Sequence, residues 1–191
     1  MVQNLQAVPL ADRTAGMVQR PDPMATVGSI PCTSSVFAEL SAEILRGGKE
    51  LRFQARGTSM SPLVRDGDVL LVQPADPNAV RVGDVVLCHI EEGRVVVHRV
   101  IREQVSQEGH WFTVQGDAAA QPDGLLPGGQ VYGRVTAIKR GAGNIDLERP
   151  VMKMLGGLAA LSSRWGLGRG PWFRLATRVV KRLPVFSRHL A

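Results

Sequence analysis

Residues 85–101 read VVLCHI EEG RVVVHRVI, two apolar runs rich in β-branched residues on either side of a short charged turn that ends in glycine. Runs of this length with a turn between them are typical of the two strands of a β-hairpin. Successive side chains of a strand point to opposite faces, so Val96, His98 and Val100 should share one face. The stretch therefore predicts a central hairpin with one histidine among valines.

Further strands are expected on both sides of this hairpin. Leu51, Phe53 and Ala55 alternate with polar residues, which is the period of a half-buried strand. Other apolar runs predict strands at 69–72, 111–115 and 131–139. The 21 glycines and 12 prolines, with few aromatic residues, favour many short strands joined by turns over a helical bundle. We therefore predict a mainly β fold built around a coiled, partly closed sheet.

The chain before these strands divides into two parts. Residues 1–33 are rich in Gln, Ala, Pro and Asp without a period, which predicts a flexible leader. A short amphipathic helix is expected from residue 35 to the Gly47-Gly48 pair. Its apolar stripe would be formed by Phe37, Leu40 and Ile44. Residues 34–148 would then make up the β-rich domain.

The C-terminal extension, residues 149–191, differs from the rest of the chain in charge. Residues 151–191 contain eight Lys or Arg and no Asp or Glu, whereas residues 1–150 hold 15 bases and 17 acids. From Pro171 onward the pattern predicts a basic amphipathic helix with an apolar stripe formed by Trp172, Leu175, Ala176, Val179 and Leu183. Such a helix would either contact an anionic membrane surface or pack on the domain with its bases in solvent.

Other features limit the classes of protein to be considered. Cys32 and Cys88 lack C-x-x-C or metal-ligand spacing, so we expect unpaired thiols, no metal site and no cofactor. No basic cluster precedes an apolar segment, and no uncharged apolar run reaches about 18 residues, so neither a signal peptide nor a membrane span is expected. These features predict a cytoplasmic or peripheral membrane protein.

The residue types of an activated serine occur in order along the predicted domain. Ser59 lies in GTSMSP at 57–62, His98 in the hairpin, and Asp117 and Asp123 in a later loop. A serine hydroxyl needs a base to take its proton, and histidine accepts and releases protons near neutral pH. A carboxylate on the far imidazole nitrogen would fix the tautomer. The pattern predicts Ser59 as nucleophile and His98 as base, and leaves both aspartates open as the acidic partner.

Read together, these segments resemble the signal peptidase superfamily, which includes the LexA-like self-cleaving repressors. The resemblance covers about residues 50–140 and rests on GTSMSP at 57–62, RDGD at 65–68, VGDVV at 82–86, VHRVI at 97–101, and Gly116-Asp117 with Asp123. His98 stands where the superfamily usually has a lysine, which resembles the branch found in the endoplasmic reticulum, archaea and some spore-forming bacteria. The likeness implies a β-rich fold and cleavage after small residues near a membrane. It also implies Asp123 as the acidic partner, with Asp117 the next candidate.

The residues around the serine depart from this pattern in one respect. Many signal peptidases carry a serine two residues before the nucleophile, where it helps to form the oxyanion hole, and here that residue is Gly57. Oxyanion stabilisation and substrate positioning are therefore expected from the segment Gly57, Thr58 and Met60, through backbone N–H groups including that of Ser59. The usual N-terminal membrane anchor is also missing, so general cleavage of secreted preproteins is not expected.

The leading hypothesis is a serine endopeptidase that cleaves a leader or precursor peptide from a protein or peptide substrate. LexA-like self-cleavage ranks second, because no N-terminal pair of DNA-binding helices is evident and the base is a histidine. The third hypothesis is a noncatalytic β-domain that binds a partner, a membrane or nucleic acid through residues 151–191. Nucleic acid is the least favoured of these partners.

Overall fold

The computed structural model describes residues 34–90 and 94–164, together with the backbone of residues 6–8. Within them nine strands form one sheet: β1 (Gln6–Val8), β2 (Leu51–Gln54), β3 (Val69–Pro74), β4 (Val85–Ile90), β5 (Arg94–Ser106), β6 (Gly109–Gln115), β7 (Leu125–Pro127), β8 (Val131–Arg140) and β9 (Gly143–Asp146). The helices are α1 (Ser34–Arg46) and α2 (Pro150–Arg164). The helix predicted from Pro171 and the residue Cys32 lie outside the described residues.

The strands form a curled, half-barrel antiparallel sheet in the order β1-β2-β3-β8-β4-β5-β6-β7, with β9 paired to β8. The predicted mainly β fold is confirmed. The two runs of the opening stretch pair as β4 and β5, with Val86 opposite His98 and Cys88 opposite Val96.

Hydrophobic side chains pack on both faces of the β4–β5 pair. Val85, Leu87, Val95 and Val97 belong to one core cluster, which also receives side chains from α1 and α2. A second cluster on the other face includes Val86, Cys88, Val96 and Val100. Because both faces are buried, these strands read as continuous apolar runs. The pleat places His98 on the same face as Val96 and Val100, as the alternation predicts.

Helix α1 occurs where the sequence predicts it, and of the predicted apolar stripe Phe37 is buried and Ile44 packs against the core, whereas Leu40 lies outside it. Leu40 is 37% exposed, and Ile44 is only partly buried. The buried face consists of Phe37, Ala38, Ser41, Ala42 and Leu45. Its small residues let the helix lie close to the sheet, where the ring of Phe37 meets that of Phe53 edge to face at 5.3 Å between centroids.

Several elements have no counterpart in the sequence prediction. Three residues of the expected leader form β1, which pairs with β2 through its backbone. Strand β5 runs five residues beyond Ile101 and pairs there with β6. The short strands β7 and β9 and helix α2 were not predicted. Helix α2 matters most for the site, because it packs against β5.

Candidate active site

Ser59 lies in the segment that connects β2 to β3. The ends of this segment are tied together, since the N–H of Gly67 donates to the carbonyl of Ala55 and the N–H of Ala55 donates to the carbonyl of Asp68. The buried Asp68 carboxylate also accepts two hydrogen bonds from the guanidinium of Arg140 on β8, at 2.9 and 2.6 Å. The segment that carries the serine is therefore fixed to the sheet.

His98 joins Ser59 to Asp123. Its ring is 6% exposed, with Nε2 3.1 Å from the Oγ of Ser59 and Nδ1 2.5 Å from Oδ2 of Asp123. A carboxylate only accepts hydrogen bonds, so the Asp123 contact places the imidazole proton on Nδ1. Nε2 is then the acceptor that faces the serine hydroxyl. The structure thus brings three of the four predicted catalytic residues into contact.

The loop after β6 holds Asp123 in place. The N–H of Asp123 donates to the carbonyl of Val114 at 2.9 Å, and the side-chain amide of Gln115 donates to the carbonyl of Ala119 at 2.8 Å. The N–H of Ala118 donates to the carbonyl of Ser59, also at 2.8 Å. The loop is therefore bonded both to the strand it leaves and to the serine.

Gly116 is the point of closest approach between this loop and the site. A Cβ atom added there would lie 2.7 Å from the carbonyl oxygen of Ser59 and 3.1 Å from Nε2 of His98. The first distance is well inside van der Waals contact with backbone that is itself hydrogen-bonded. Only glycine fits at this position without displacing the loop.

Asp117, the fourth predicted catalytic residue, is not in contact with His98. Its carboxylate accepts hydrogen bonds from Nε and Nη2 of Arg99, both at 2.7 Å, and the Arg99 side chain is 6% exposed. Burial disfavours the charge on Arg99, but the charge and hydrogen bonds of Asp117, with the charge of Asp84, together raise the pKa of the guanidinium above its ordinary value. The two candidate aspartates thus have different partners.

The residues expected to stabilise the oxyanion lie in three different settings. The N–H of Gly57 already donates to the Asp66 carboxylate at 2.8 Å, so in this conformation it is not directed at a substrate carbonyl. Thr58 is exposed beside the serine. Met60 is 3% exposed, belongs to the core, and its sulfur accepts from the N–H of Asp117. Thr58 is thus the one of the three whose side chain can meet a substrate.

The other histidines of the described sheet have partners of their own. His89 stacks on the ring of Tyr132, with centroids 6.4 Å apart, and His110 lies 3.2 Å from the carboxylate of Glu103. Cys88 is fully buried, and this burial, assisted by the negative charge of Asp123, raises the pKa of its thiol well above the ordinary range. Cys88 is consequently a neutral thiol near the site rather than a nucleophile.

Two residues of the site were missed as functional candidates in the sequence. Arg99 and Gly116 lie next to His98 and Asp117 in the recognised motifs, but sequence reasoning gave them no role. A signal for Arg99 was present, because an arginine inside an apolar strand must find a carboxylate when it is buried. Gly116 carried no such signal, since its close contacts arise only in the folded loop.

In the part of the chain that the structure describes, no group of three or more His, Cys, Asp or Glu side chains could hold a metal ion. No helix among these described residues is long and apolar enough to cross a membrane.

Comparisons with known proteins place the chain in a family. The model of the Peptidase S24-like family matches residues 19–118, just over half of the chain. The matched residues include Ser59, His98 and Asp117 and end before Asp123. No curated protein and no solved structure matches the chain. On the family match, with the curled β-sheet in agreement, this chain belongs to the Peptidase S24-like family and has the fold of LexA-like and signal-peptidase-like serine proteases.

Proposed function

We propose that this protein is a serine endopeptidase in which Ser59 is the nucleophile, His98 the general base and Asp123 the carboxylate that orients the base. The observation that carries the proposal is the continuous contact from Oγ to Nε2 at 3.1 Å and from Nδ1 to Oδ2 at 2.5 Å. The three side chains come from separate segments of the chain. Their order of contact is the one that activates a serine hydroxyl.

The reaction follows from these contacts. Oγ of Ser59 attacks the carbonyl carbon of the peptide bond while Nε2 of His98 takes the hydroxyl proton. The resulting imidazolium, held by Asp123, gives that proton to the leaving amine as the C–N bond breaks. A water molecule then attacks the acyl group on Ser59, with His98 again as base, and releases the acid product and the free serine.

Asp123 is assigned to this role instead of Asp117 because of the partners that the two carboxylates have. Both oxygens of Asp117 accept N–H groups of Arg99, and the pair is buried. Moving Asp117 to His98 would leave a guanidinium charge in the protein interior, which is strongly destabilising. Among its described contacts, Asp123 forms no ion pair with a lysine or arginine, and its Oδ2 lies 2.5 Å from Nδ1 of His98.

We infer that the substrate is a leader or precursor peptide and that cleavage occurs after a small residue. This inference rests on the resemblance of the motifs around Ser59 and His98 to the histidine-containing signal peptidases. Family membership supports a serine peptidase in general. Which class of serine peptidase it is depends on the peptide bonds that it cleaves.

The proposal is tested with an alanyl diphenyl phosphonate, which forms a covalent bond with an activated serine. We expect the full-length protein to be labelled, with the adduct mapped to Ser59 by mass spectrometry. Labelling should be lost in Ser59→Ala and fall by about 100-fold or more in His98→Ala, since a positioned general base contributes that much. Incubation with a defined peptide mixture then identifies the bonds that are cut.

Two matched variants control this experiment. Ser61→Ala changes a serine two residues away in the same turn, and His110→Ala changes a histidine on a neighbouring strand. Both should react like the unmodified protein. If the wild-type protein is not labelled at Ser59 and cuts no peptide, the peptidase proposal is wrong and a binding function is favoured. If the protein cuts only its own chain, the self-cleavage alternative replaces it.

A second proposal is that the protein contacts a membrane surface, and one exposed face of α2 supports it. Val151, Met154 and Leu161 are 55%, 61% and 50% exposed and follow helical spacing along that face. No acidic residue occurs from residue 151 to the end of the chain. We propose that α2 and the basic extension contact an anionic lipid surface, because apolar area and positive charge together bind such a surface.

This contact is tested by flotation with phosphatidylcholine vesicles that contain or lack phosphatidylserine. Replacing Val151, Met154 and Leu161 by Ser should reduce flotation with anionic vesicles. The control replaces Val105 and Leu125, two exposed apolar residues elsewhere on the sheet, by Ser. Equal flotation of the α2 variant and the control would exclude this role for α2.

A further inference from the structure

The buried ion pair of Arg99 and Asp117 lies directly behind the proposed catalytic residues. Arg99 follows His98 on β5, and Asp117 follows Gly116, where an added Cβ would lie 2.7 Å from the carbonyl oxygen of Ser59 and 3.1 Å from Nε2 of His98. The pair therefore connects the strand that carries the base to the loop that carries Asp123. Any movement between Arg99 and Asp117 would alter the distances on which the proposed reaction depends.

Arg99 has a third contact, which leads to α2. Its Nη1 donates to the carbonyl of Gly83 at 2.8 Å, and the Gly83 N–H donates to the carbonyl of Val100. The turn at Gly83, which has φ +101°, is thus hydrogen-bonded to β5 through both its carbonyl and its N–H. Its outer surface is covered by α2.

Helix α2 meets this turn through two glycines. A Cβ added at Gly156 would lie 2.7 Å from the carbonyl oxygen of Gly83 and 3.1 Å from Nη1 of Arg99. One added at Gly83 would lie 2.7 Å from the backbone nitrogen of Gly157. The backbone of α2 therefore rests on the same carbonyl that accepts from Arg99. Met152, 8% exposed in the core, anchors the preceding turn of the helix.

We propose that α2 is a positioning element of the active site, and that Gly156 is the positioning residue through which it fixes Arg99, Asp117 and the loop of Asp123. The inference rests on the proposed peptidase function. Helix α2 lies outside the residues matched by the family. The close contact between helix and turn also accounts for Gly156 in mid-helix, where glycine is otherwise unfavourable.

The test compares Gly156→Ala with Gly157→Ala in the full chain. A Cβ at Gly157 meets no atom within 4 Å, so this variant is a matched control with the same chemical change one residue away. The readouts are the maximal rate of Ser59 phosphonylation and the concentration of alanyl diphenyl phosphonate that gives half of it, at a temperature where circular dichroism shows both variants folded. We expect Gly156→Ala to lower the maximal rate about tenfold, because small displacements of reacting groups cost rate. The half-saturating concentration should stay unchanged, and Gly157→Ala should match the wild type in both.

The outcomes separate this inference from the proposed function. An active wild type with an equally active, folded Gly156→Ala overturns the positioning role and leaves the peptidase intact. A wild type that does not react at Ser59 overturns the function and with it the inference. If Gly156→Ala does not fold, Met152→Ala, which loosens α2 without crowding it, is measured instead. An unchanged maximal rate in that variant would also overturn the role of α2.

Discussion

Asp123 and Asp117 lie six residues apart in one loop, yet their carboxylates have different partners. Asp123 faces the imidazole of His98, which must change its charge if it acts as a base. Asp117 faces the guanidinium of Arg99, whose pKa is raised and whose charge is permanent. The difference shows that a carboxylate near a serine and a histidine can belong to the scaffold. The two carboxylates differ in their hydrogen-bond partner, although they are close in sequence.

Changing each aspartate to asparagine tests most directly whether the two carboxylates have different roles. We expect Asp123→Asn to lower the rate of Ser59 phosphonylation by about 100-fold or more, because the amide no longer stabilises the imidazolium and can hold the wrong tautomer. Its effect on the free energy of unfolding should be about 1 kcal/mol. Rates are measured with the folded protein, alongside urea unfolding of the same samples. Equal rates in Asp123→Asn and the wild type would contradict the assignment of Asp123.

Asp117→Asn should give the opposite pattern. Its cost in the free energy of unfolding should be about 3 kcal/mol, near the lower end for a broken buried ion pair, since the amide oxygen still accepts one N–H of Arg99. The phosphonylation rate of the folded protein should fall only about tenfold, because the effect on His98 is indirect.

A double variant shows whether losing Asp117 is costly because it leaves the charge of Arg99 buried and unpaired. Replacing Arg99 by Met and Asp117 by Leu removes both charges together, so no unpaired charge stays buried. Its urea midpoint should lie above that of Asp117→Leu alone. A midpoint below the single variant would show that Arg99 stabilises the fold without Asp117, through contacts such as its hydrogen bond to the carbonyl of Gly83.

The sequence predicted the sheet better than the helices, for a physical reason. The β4–β5 pair was predicted because both runs are buried on two faces and carry an unbroken apolar signal. Strand β5 was predicted too short, because its last residues pair through the backbone and expose their side chains. Helix α1 was placed correctly, but the spacing of its large apolar residues suggested Leu40 for the buried face, where the packing uses Ala42.

Helix α2 shows the limit of local propensity. Pro150 at its first position is a helix-start signal that sequence reasoning could have used. Gly156 and Gly157 argue against a helix when propensity alone is considered. The turn at Gly83, more than 70 residues earlier in the chain, explains Gly156, because an added Cβ there would lie 2.7 Å from the carbonyl oxygen of Gly83.

The candidate site, like the fold, was predicted only in part. Ser59 and His98 could be proposed because each lies in a motif with few competitors in the chain. The choice between Asp117 and Asp123 could not be made from residue types, because both follow glycine or proline in one turn-rich loop. It depends on the path of that loop, which the contacts of Val114 and Ala118 determine.

The smallest expected effect concerns Cys88, which reports on the environment behind His98 and Asp123. Burial first, and the charge of Asp123 second, raise the pKa of its thiol from an ordinary value of 9.0. The folded state therefore keeps the thiol proton above pH 9, whereas the unfolded state loses it. The unfolded state then binds fewer protons, so the free energy of unfolding must fall as the pH rises past the unfolded pKa.

Urea unfolding at pH 8 and pH 10 measures this loss in a Cys32→Ser background. Between these values, the stability of the protein with Cys88 should fall by about 1.4 kcal/mol more than that of Cys88→Ala, which corresponds to one pH unit of linkage. The alanine variant removes the thiol and leaves every other group that titrates in this range, including Tyr132. Equal losses in the two proteins would mean that Cys88 ionises as easily in the folded state as in the unfolded one. The region behind His98 would then be wetter, and less suited to hold Asp123 against the imidazole, than its burial implies.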